Sequence, residues 1–268
     1  MKQQICVIGC GWLGFPLAKS LVKKGYIVKG STTSSEKIDT LNSNGITGFL
    51  LQLSSEGISG DIENCLAHCQ TLILNIPPGL RKNPKADYVK QIQHIIPFVE
   101  VSSIQHVLFI SSTSVYDDEE SIPSISETSP TSTTSNSAQQ LLGAEALFKN
   151  NTNFKTTILR FSGLFGEDRH PATYISGRLL KNPDAPVNLI HLDDCIAIIE
   201  QIIKNNIWDS MFNASTSSHP SKKQYYTSVC KARDLPLPKI DVSQKSKGKI
   251  INTDKLARVL DYEFKIKL

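Results

Sequence analysis

The chain has 268 residues, a net charge of +4, and a composition of 40% hydrophobic and 20% charged residues. That length accommodates one large domain, or one domain with a small appended lobe, and is ample for a buried core. The mild charge comes with no aromatic stacking platform, which argues against a nucleic-acid partner, and no apolar run approaches the roughly 20 residues that span a bilayer. The sequence passes from Lys2 straight into an apolar strand, so no signal peptide is expected. The expectation is a cytoplasmic monomer or homodimer acting on a small molecule.

In chain order, the first feature is Ile5-Cys6-Val7-Ile8-Gly9-Cys10-Gly11-Trp12-Leu13-Gly14. A β-branched run ends in G-x-G-x-x-G, and a helical pattern follows from Phe15 to Leu21. In that context Gly9 permits the tight turn, Gly11 lets the backbone approach a pyrophosphate, and Gly14 allows close helix–strand packing. The amides of Trp12 and Leu13 at the helix start would face the phosphates. Tyr26 to Gly30 reads as a second strand. Its end should meet the adenine ribose, about 20 residues past the glycines. An acid there would favour NAD. The chain offers Ser31, Thr32, Thr33 and Ser34, then Lys37, which suits a 2′-phosphate and points to NADP, with NAD possible.

Ile46 to Leu53 is predicted as a third strand, Asp61 to His68 as a short helix, and Gln70 to Asn75 as a fourth strand. Ile76-Pro77-Pro78 stops that strand hard, beside the expected ligand crevice. A helix is expected over Tyr88–Val101 and a fifth strand over Gln105–Ser111. Residues 117–137 are rich in Ser, Thr, Pro and acids, which predicts a mobile surface loop, either a lid or plain disorder. A helix is expected over Ser221–Arg233, and a last one, capped by Thr253, through Leu260. The alternation defines an α/β fold, a Rossmann-type doubly wound parallel sheet. Residues 1–168 would form the dinucleotide-binding domain. Residues 169–268 would form a small C-terminal substrate lobe interleaved with the last sheet elements.

Six cysteines are scattered without the paired spacing of a zinc site or disulfide framework, and no metal is expected. Cys65 and Cys69 with His68 read as small half-buried residues on a helix. Cys10, at a helix N-terminus, is expected to have a lowered thiol pKa. Lys245, Lys247, Lys249, Lys255 and Lys267 read as a solvated basic face.

Ser111-Ser112-Thr113-Ser114-Val115-Tyr116 after the fifth strand resembles the extended short-chain dehydrogenase/reductase superfamily, the nucleotide-sugar epimerase and dehydratase group. Ile158-Leu159-Arg160-Phe161-Ser162-Gly163-Leu164-Phe165-Gly166 is similar to that group's "LR…YG" segment, and Asn188 to Asp194 to its "IHVDD" segment. The Asn75 to Pro78 turn, Arg169-His170-Pro171 and Gly248 to Asn252 look most like its atypical sugar-nucleotide-epimerase-like branch. A reductase of the 6-phosphogluconate dehydrogenase type shares the glycine turn but would not explain the later motifs.

The resemblance implies NAD(P) as cofactor and a hydroxyl, a Tyr and a Lys as the proton-transfer set, the lysine lowering the tyrosine pKa. Ser112 takes the hydroxyl position. Counting back from Glu145 puts Ser137 where the Tyr is expected and Leu141 where the Lys is expected, so the dyad is missing. No tyrosine has a lysine four residues on. The remaining catalytic candidates are Ser112, Tyr116 and His191. Thr113, Ser114, Arg169 and His170 are the substrate-binding candidates, and Arg160 reads as a structural ion pair. Two functions stand: an atypical epimerase- or reductase-like enzyme acting on a sugar nucleotide or similar polar substrate, or a dinucleotide-binding sensor or regulatory protein without turnover.

Overall fold

The computed structural model describes residues 2–80 and 83–268. Seven strands form one parallel sheet: β1 (Gln4–Ile8), β2 (Ile27–Thr32), β3 (Ile46–Leu50), β4 (Thr71–Leu74), β5 (His106–Ser112), β6 (Lys155–Phe161) and β7 (Met211–Ala214). Their spatial order is 3-2-1-4-5-6-7. The order reverses between β1 and β4, the switch point at which a Rossmann-type sheet opens its ligand crevice.

The strands read as nearly unbroken apolar runs because helices cover both faces. Side chains alternate across the sheet. Ile5, Val7, Ile73, Leu108 and Leu159 face one core, with α1 (Gly14–Lys23), α2 (Ile38–Ser43), α8 (Leu192–Lys204) and α10 (Asp254–Leu260). Cys6, Ile8, Leu72, Phe109 and Ile158 face the other, with α3 (Ile62–Leu66), α4 (Tyr88–Gln93), α5 (Ile96–Glu100) and α6 (Asn136–Lys149). The expected helix over 88–101 is two helices. Pro97, in the first turn of α5, has no N–H for a continuous ladder and would clash with the carbonyl a turn earlier. The expected third strand ends early, at Leu50, and the chain folds into a hairpin of Gln52–Ser54 with Gly57–Ser59.

The segment from 169 on contributes β7, α8 and α10 to the layered body. It also builds a small lobe from α7 (Ala172–Ile175), α9 (Lys222–Ala232) and the pair Leu179–Leu180 with Lys239–Ile240. The lobe's core is Phe165, Val187, Leu189 and Tyr225. The two late motifs meet there: Gly163–Phe165 pairs in parallel with Leu189–His191. Thr253 stands at the start of α10, but its hydroxyl makes no cap; the Asn252 side chain accepts the Asp254 amide instead, at 2.9 Å.

The expectation of a mobile loop over 117–137 is overturned. Ser124–Ile125 pairs with Ile250–Ile251, Glu119 exchanges backbone bonds with Gly248, and Ile125, Ser132 and Ile251 are buried. The acids find the basic C-terminal run: Asp118 lies 2.8 Å from Lys249, and Glu120 lies 3.6 and 3.8 Å from Lys247 and Lys245. Exposed ion pairs of this kind stabilise little, so the backbone pairing and the two isoleucines do the anchoring. This strap lies along the sheet's outer strand. The Glu127 carboxylate accepts the outward Asn213 amide at 2.8 Å, and the Lys255 ammonium donates to the Met211 carbonyl at 2.8 Å. Both bonds occupy an edge that would otherwise be open for pairing. Among the described residues no helix is long and apolar enough to cross a membrane.

Candidate functional site

A cleft of about 530 Å³ lies over the carboxyl ends of β1, β2, β4 and β5. The glycine turn forms its floor. Gly9 has φ +103°, a region closed to most side chains, and a Cβ there would stand 2.3 Å from the Asn75 carbonyl oxygen. A Cβ on Gly14 would stand 2.1 Å from the Gly9 carbonyl oxygen, so α1 starts pressed against the turn. A Cβ on Gly11 would meet nothing within 4 Å. Gly9 and Gly14 are required by the protein itself, whereas Gly11 leaves open space that a ligand can enter. Among the described residues the Trp12 and Leu13 amides donate to no protein acceptor. This is the cradle that a diphosphate needs at a helix N-terminus, and the chain fits the group.

Neighbouring strands hold the turn in place. The Gly9 amide donates to the Ser31 hydroxyl at 3.0 Å and the Cys10 amide to the Ser31 carbonyl at 2.8 Å. The Asn75 side chain donates to the Gly9 carbonyl at 3.1 Å. Ser31 and Asn75 therefore line the cleft and brace its floor. Ile76, Pro77 and Pro78 form the wall opposite, fixed by the Tyr88 hydroxyl, which donates to the Ile76 carbonyl at 2.8 Å. Cys10 does not behave as expected. Its sulfur turns away from the helix end to a spot where a Cβ on Gly30 would meet it at 2.6 Å, and burial pushes the thiol up to about 12.

At the β2 end, Thr32, Thr33 and Lys37 line the cleft with Leu51, Leu53 and Gln91. The Thr32 hydroxyl accepts the Ser34 amide at 3.2 Å. Ser34 is not part of the lining; it starts the one-turn helix that presents Lys37. At the β5 end, Ser111, Ser112, Ile110, Leu141 and Leu164 close the cleft. Among the described residues Lys37 and Arg169 are the cations that line it, and no carboxylate does. Arg169, expected at a substrate lobe, instead packs its guanidinium over Trp12 at 5.1 Å, while the Trp12 indole donates to Asp168 at 3.0 Å.

The other candidates do not gather there. Tyr116 is 2% exposed, and its hydroxyl receives Arg160 at 2.7 Å and donates to Asn213 at 3.0 Å. Its oxygen is a buried structural link, not a proton donor facing a ligand. Arg160 is indeed an ion-pair residue, bonded to Glu145 through Nε at 2.9 Å and Nη2 at 2.5 Å. His191 caps α8 by accepting the Asp193 amide at 3.2 Å and packs its ring on the edge of Phe165. His170 is built into the small lobe, accepting the Ala172 amide at 3.2 Å, with Tyr225 beside it; burial, helped by the Arg233 charge, lowers its pKa. Thr113 is buried against Ser162, and Ser114 is exposed outside the lining. Leu51, Leu53, Gln91 and Ile110 joined the cleft unannounced. The alternation in Leu51-Gln52-Leu53 was a usable sign; nothing in the sequence marked Gln91, which arrives from α4.

With this geometry in place, similarity to known proteins is informative. Residues 4–122 match the family model of the NAD binding domain of 6-phosphogluconate dehydrogenase. Over 265 residues, 98% of this chain and 96% of the relative, the chain is 29% identical to Protein YeeZ of Escherichia coli (strain K12). UDP-glucuronic acid 4-epimerase from Bacillus cereus, in complex with NAD, superimposes with a TM-score of 0.82 at 16% identity, covering 99% of this chain and 93% of that one. UDP-N-acetylglucosamine 4-epimerase from the same organism gives 0.80 at 15% identity, covering 99% and 95%. At such identities the likeness to the epimerases is one of fold. The class that fold and cleft define is a protein with a Rossmann-type domain whose cleft carries the diphosphate cradle of a dinucleotide site.

Proposed function

We propose that the protein binds NADP and acts as an atypical epimerase- or reductase-like enzyme on a sugar nucleotide or similar polar substrate. One observation carries the reading: a cleft at the switch point with a floor opened by Gly11 and, among the described residues, a lining that holds Lys37 and Arg169 but no carboxylate. Gly11, Trp12 and Leu13 would hold the diphosphate. Thr33 and Lys37 would receive a 2′-phosphate where an acid would have chosen a bare ribose, and Arg169 adds a second positive group. Bound there, the nicotinamide supplies reversible hydride transfer.

Ser112, which lines the cleft, would orient a substrate carbonyl. Its oxygen accepts the Ser114 amide at 3.1 Å, which leaves the hydroxyl proton free to point into the cleft. The likeness in fold to the UDP-sugar 4-epimerases, and the resemblance of S-S-x-x-V-Y and I-H-x-D-D to that group, support the nucleotide-sugar class. A second reading, a regulatory dinucleotide-binding protein, is favoured by Leu141, which is 3% exposed in the cleft wall where a lysine would serve proton transfer.

Titration with NADPH and NADH, followed by a hydride-exchange screen over nucleotide sugars, separates the two. NADPH should bind the more tightly, and Lys37→Ala should weaken it about tenfold, the loss of one charged hydrogen bond, while leaving NADH unchanged. Exchange that Ser112→Ala abolishes supports the enzyme; binding with no exchange on any sugar nucleotide supports the regulator. Failure of both dinucleotides to bind would overturn the cofactor assignment.

A further inference from the structure

The two serines that close the cleft have hydroxyls polarised in opposite senses. The Ser111 hydroxyl lies 2.5 Å from Glu145 Oε1. Glu145 also receives Nε and Nη2 of Arg160 on its two oxygens. A carboxylate held this way can only accept, so the Ser111 proton is committed to it and the Ser111 lone pairs are what remain for the cleft. Ser112 is the reverse: a backbone amide can only donate, so the Ser112 oxygen accepts at 3.1 Å and its proton remains. An acceptor and a donor therefore stand on consecutive residues at the end of β5, Ser111 on the sheet face that carries α6 and Ser112 on the other, and Ile110, Leu141 and Leu164 line the cleft around them.

We infer that this pair reads the carboxamide of the nicotinamide, Ser111 accepting from its NH2 and Ser112 donating to its carbonyl oxygen. Ser111 is then a specificity residue, and the Glu145–Arg160 pair is the device that fixes its polarity. The inference rests on the cofactor reading above. The adenine half belongs at the β2 end of such a sheet, which leaves the β5 end for the nicotinamide. Ser112 can hold the carboxamide in a resting complex and turn its proton to a substrate carbonyl when one enters, so the two roles are sequential.

The test is a binding matrix on the folded protein. NADP, its 3-acetylpyridine analogue, which replaces the NH2 with a methyl, and 2′-phospho-ADP-ribose, which lacks the nicotinamide, are titrated against the wild type, Ser111→Ala and Ser112→Ala. The wild type should prefer NADP over the analogue about tenfold, the effect of one buried hydrogen bond. Ser111→Ala should erase that preference. Ser112→Ala should weaken both while preserving their ratio, and 2′-phospho-ADP-ribose should bind all three proteins alike. A tenfold preference that survives Ser111→Ala overturns the inference, as does a wild type that does not distinguish the two ligands. If 2′-phospho-ADP-ribose and NADP both fail to bind the wild type, the cofactor reading itself falls and takes the inference with it.

Discussion

Arg160 and Glu145 meet through two hydrogen bonds of 2.9 and 2.5 Å, with both side chains about 4% exposed. Arg160 comes from β6 and Glu145 from α6, so the pair bolts a helix to the sheet beneath the far end of the cleft. Removing one partner leaves a buried charge without its counter-ion. Glu145→Gln should therefore lose about 3–5 kcal/mol of unfolding free energy in urea. Replacing both residues with apolar ones of similar size should recover most of that loss. An unchanged midpoint for the single variant would show that water reaches the guanidinium.

Tyr116 offers a sharp contrast between a reactive and a structural tyrosine. Tyr116→Phe leaves Arg160 short of one acceptor and Asn213 short of one donor, in a place where the Asn213 side-chain nitrogen already has no partner. The expected cost is about 1–3 kcal/mol, with dinucleotide affinity unchanged by isothermal titration. Full stability with lost hydride exchange would return Tyr116 to the chemistry.

The glycines of the turn separate folding from binding. Gly14→Ala drives a methyl into the Gly9 carbonyl and should lower the melting temperature and abolish binding together. Gly11→Ala meets no protein atom within 4 Å. It should melt like the wild type but bind dinucleotide at least tenfold more weakly, because its methyl fills the space a phosphate needs. A Gly11→Ala protein with intact affinity would place the diphosphate elsewhere.

The thiols give a prediction in alkali. Unfolded thiols ionise near about 8.5. Burial holds Cys10 up to about 12, and the Cys65 thiol at 3.4 Å, with burial, holds Cys6 well above its ordinary value. Between those limits the unfolded chain gives up protons that the native chain keeps. The stabilising contribution is complete below about pH 8.5 and is lost as pH rises toward 12. Urea melts from pH 7 to 11 should show the decline, and a thiol reagent at pH 8 should react far more slowly with the native protein than in denaturant.

Much of this architecture was legible. Cys6-Val7-Ile8 and Leu72-Ile73-Leu74 announce strands covered on both faces, and the glycine spacing locates the cleft floor. Residues 117–137 misled because the strand partner that anchors them lies more than a hundred residues away; no local composition reveals that Ile125 will be paired beside Ile251. Cys10 misled because its position at a helix start is visible in the sequence, whereas the space that Gly30, lacking a side chain, leaves for its sulfur exists only once β2 lies beside the turn. His191 and Tyr116 sit in motifs whose residue types invite chemistry, and only the three-dimensional partners, an Asp193 amide and an Arg160 guanidinium, show them spent on structure.

Glu127 and Lys255 on the outer strand also bear on how the protein is made. The chain completes its sheet and cleft once β7 has emerged, yet the Met211 carbonyl stays uncapped, and the strap that carries Glu127 unpaired, until the segment from Ile250 to Lys255 follows. At about 5–20 residues per second that window lasts a few seconds. Throughout it, a nascent chain that has already formed its cleft offers neighbouring ribosomes' products a free template strand. Chaperone dependence during synthesis, and aggregation of fragments cut just after β7, should thus trace to the incompletely covered edge of that strand rather than to any weakness of the core.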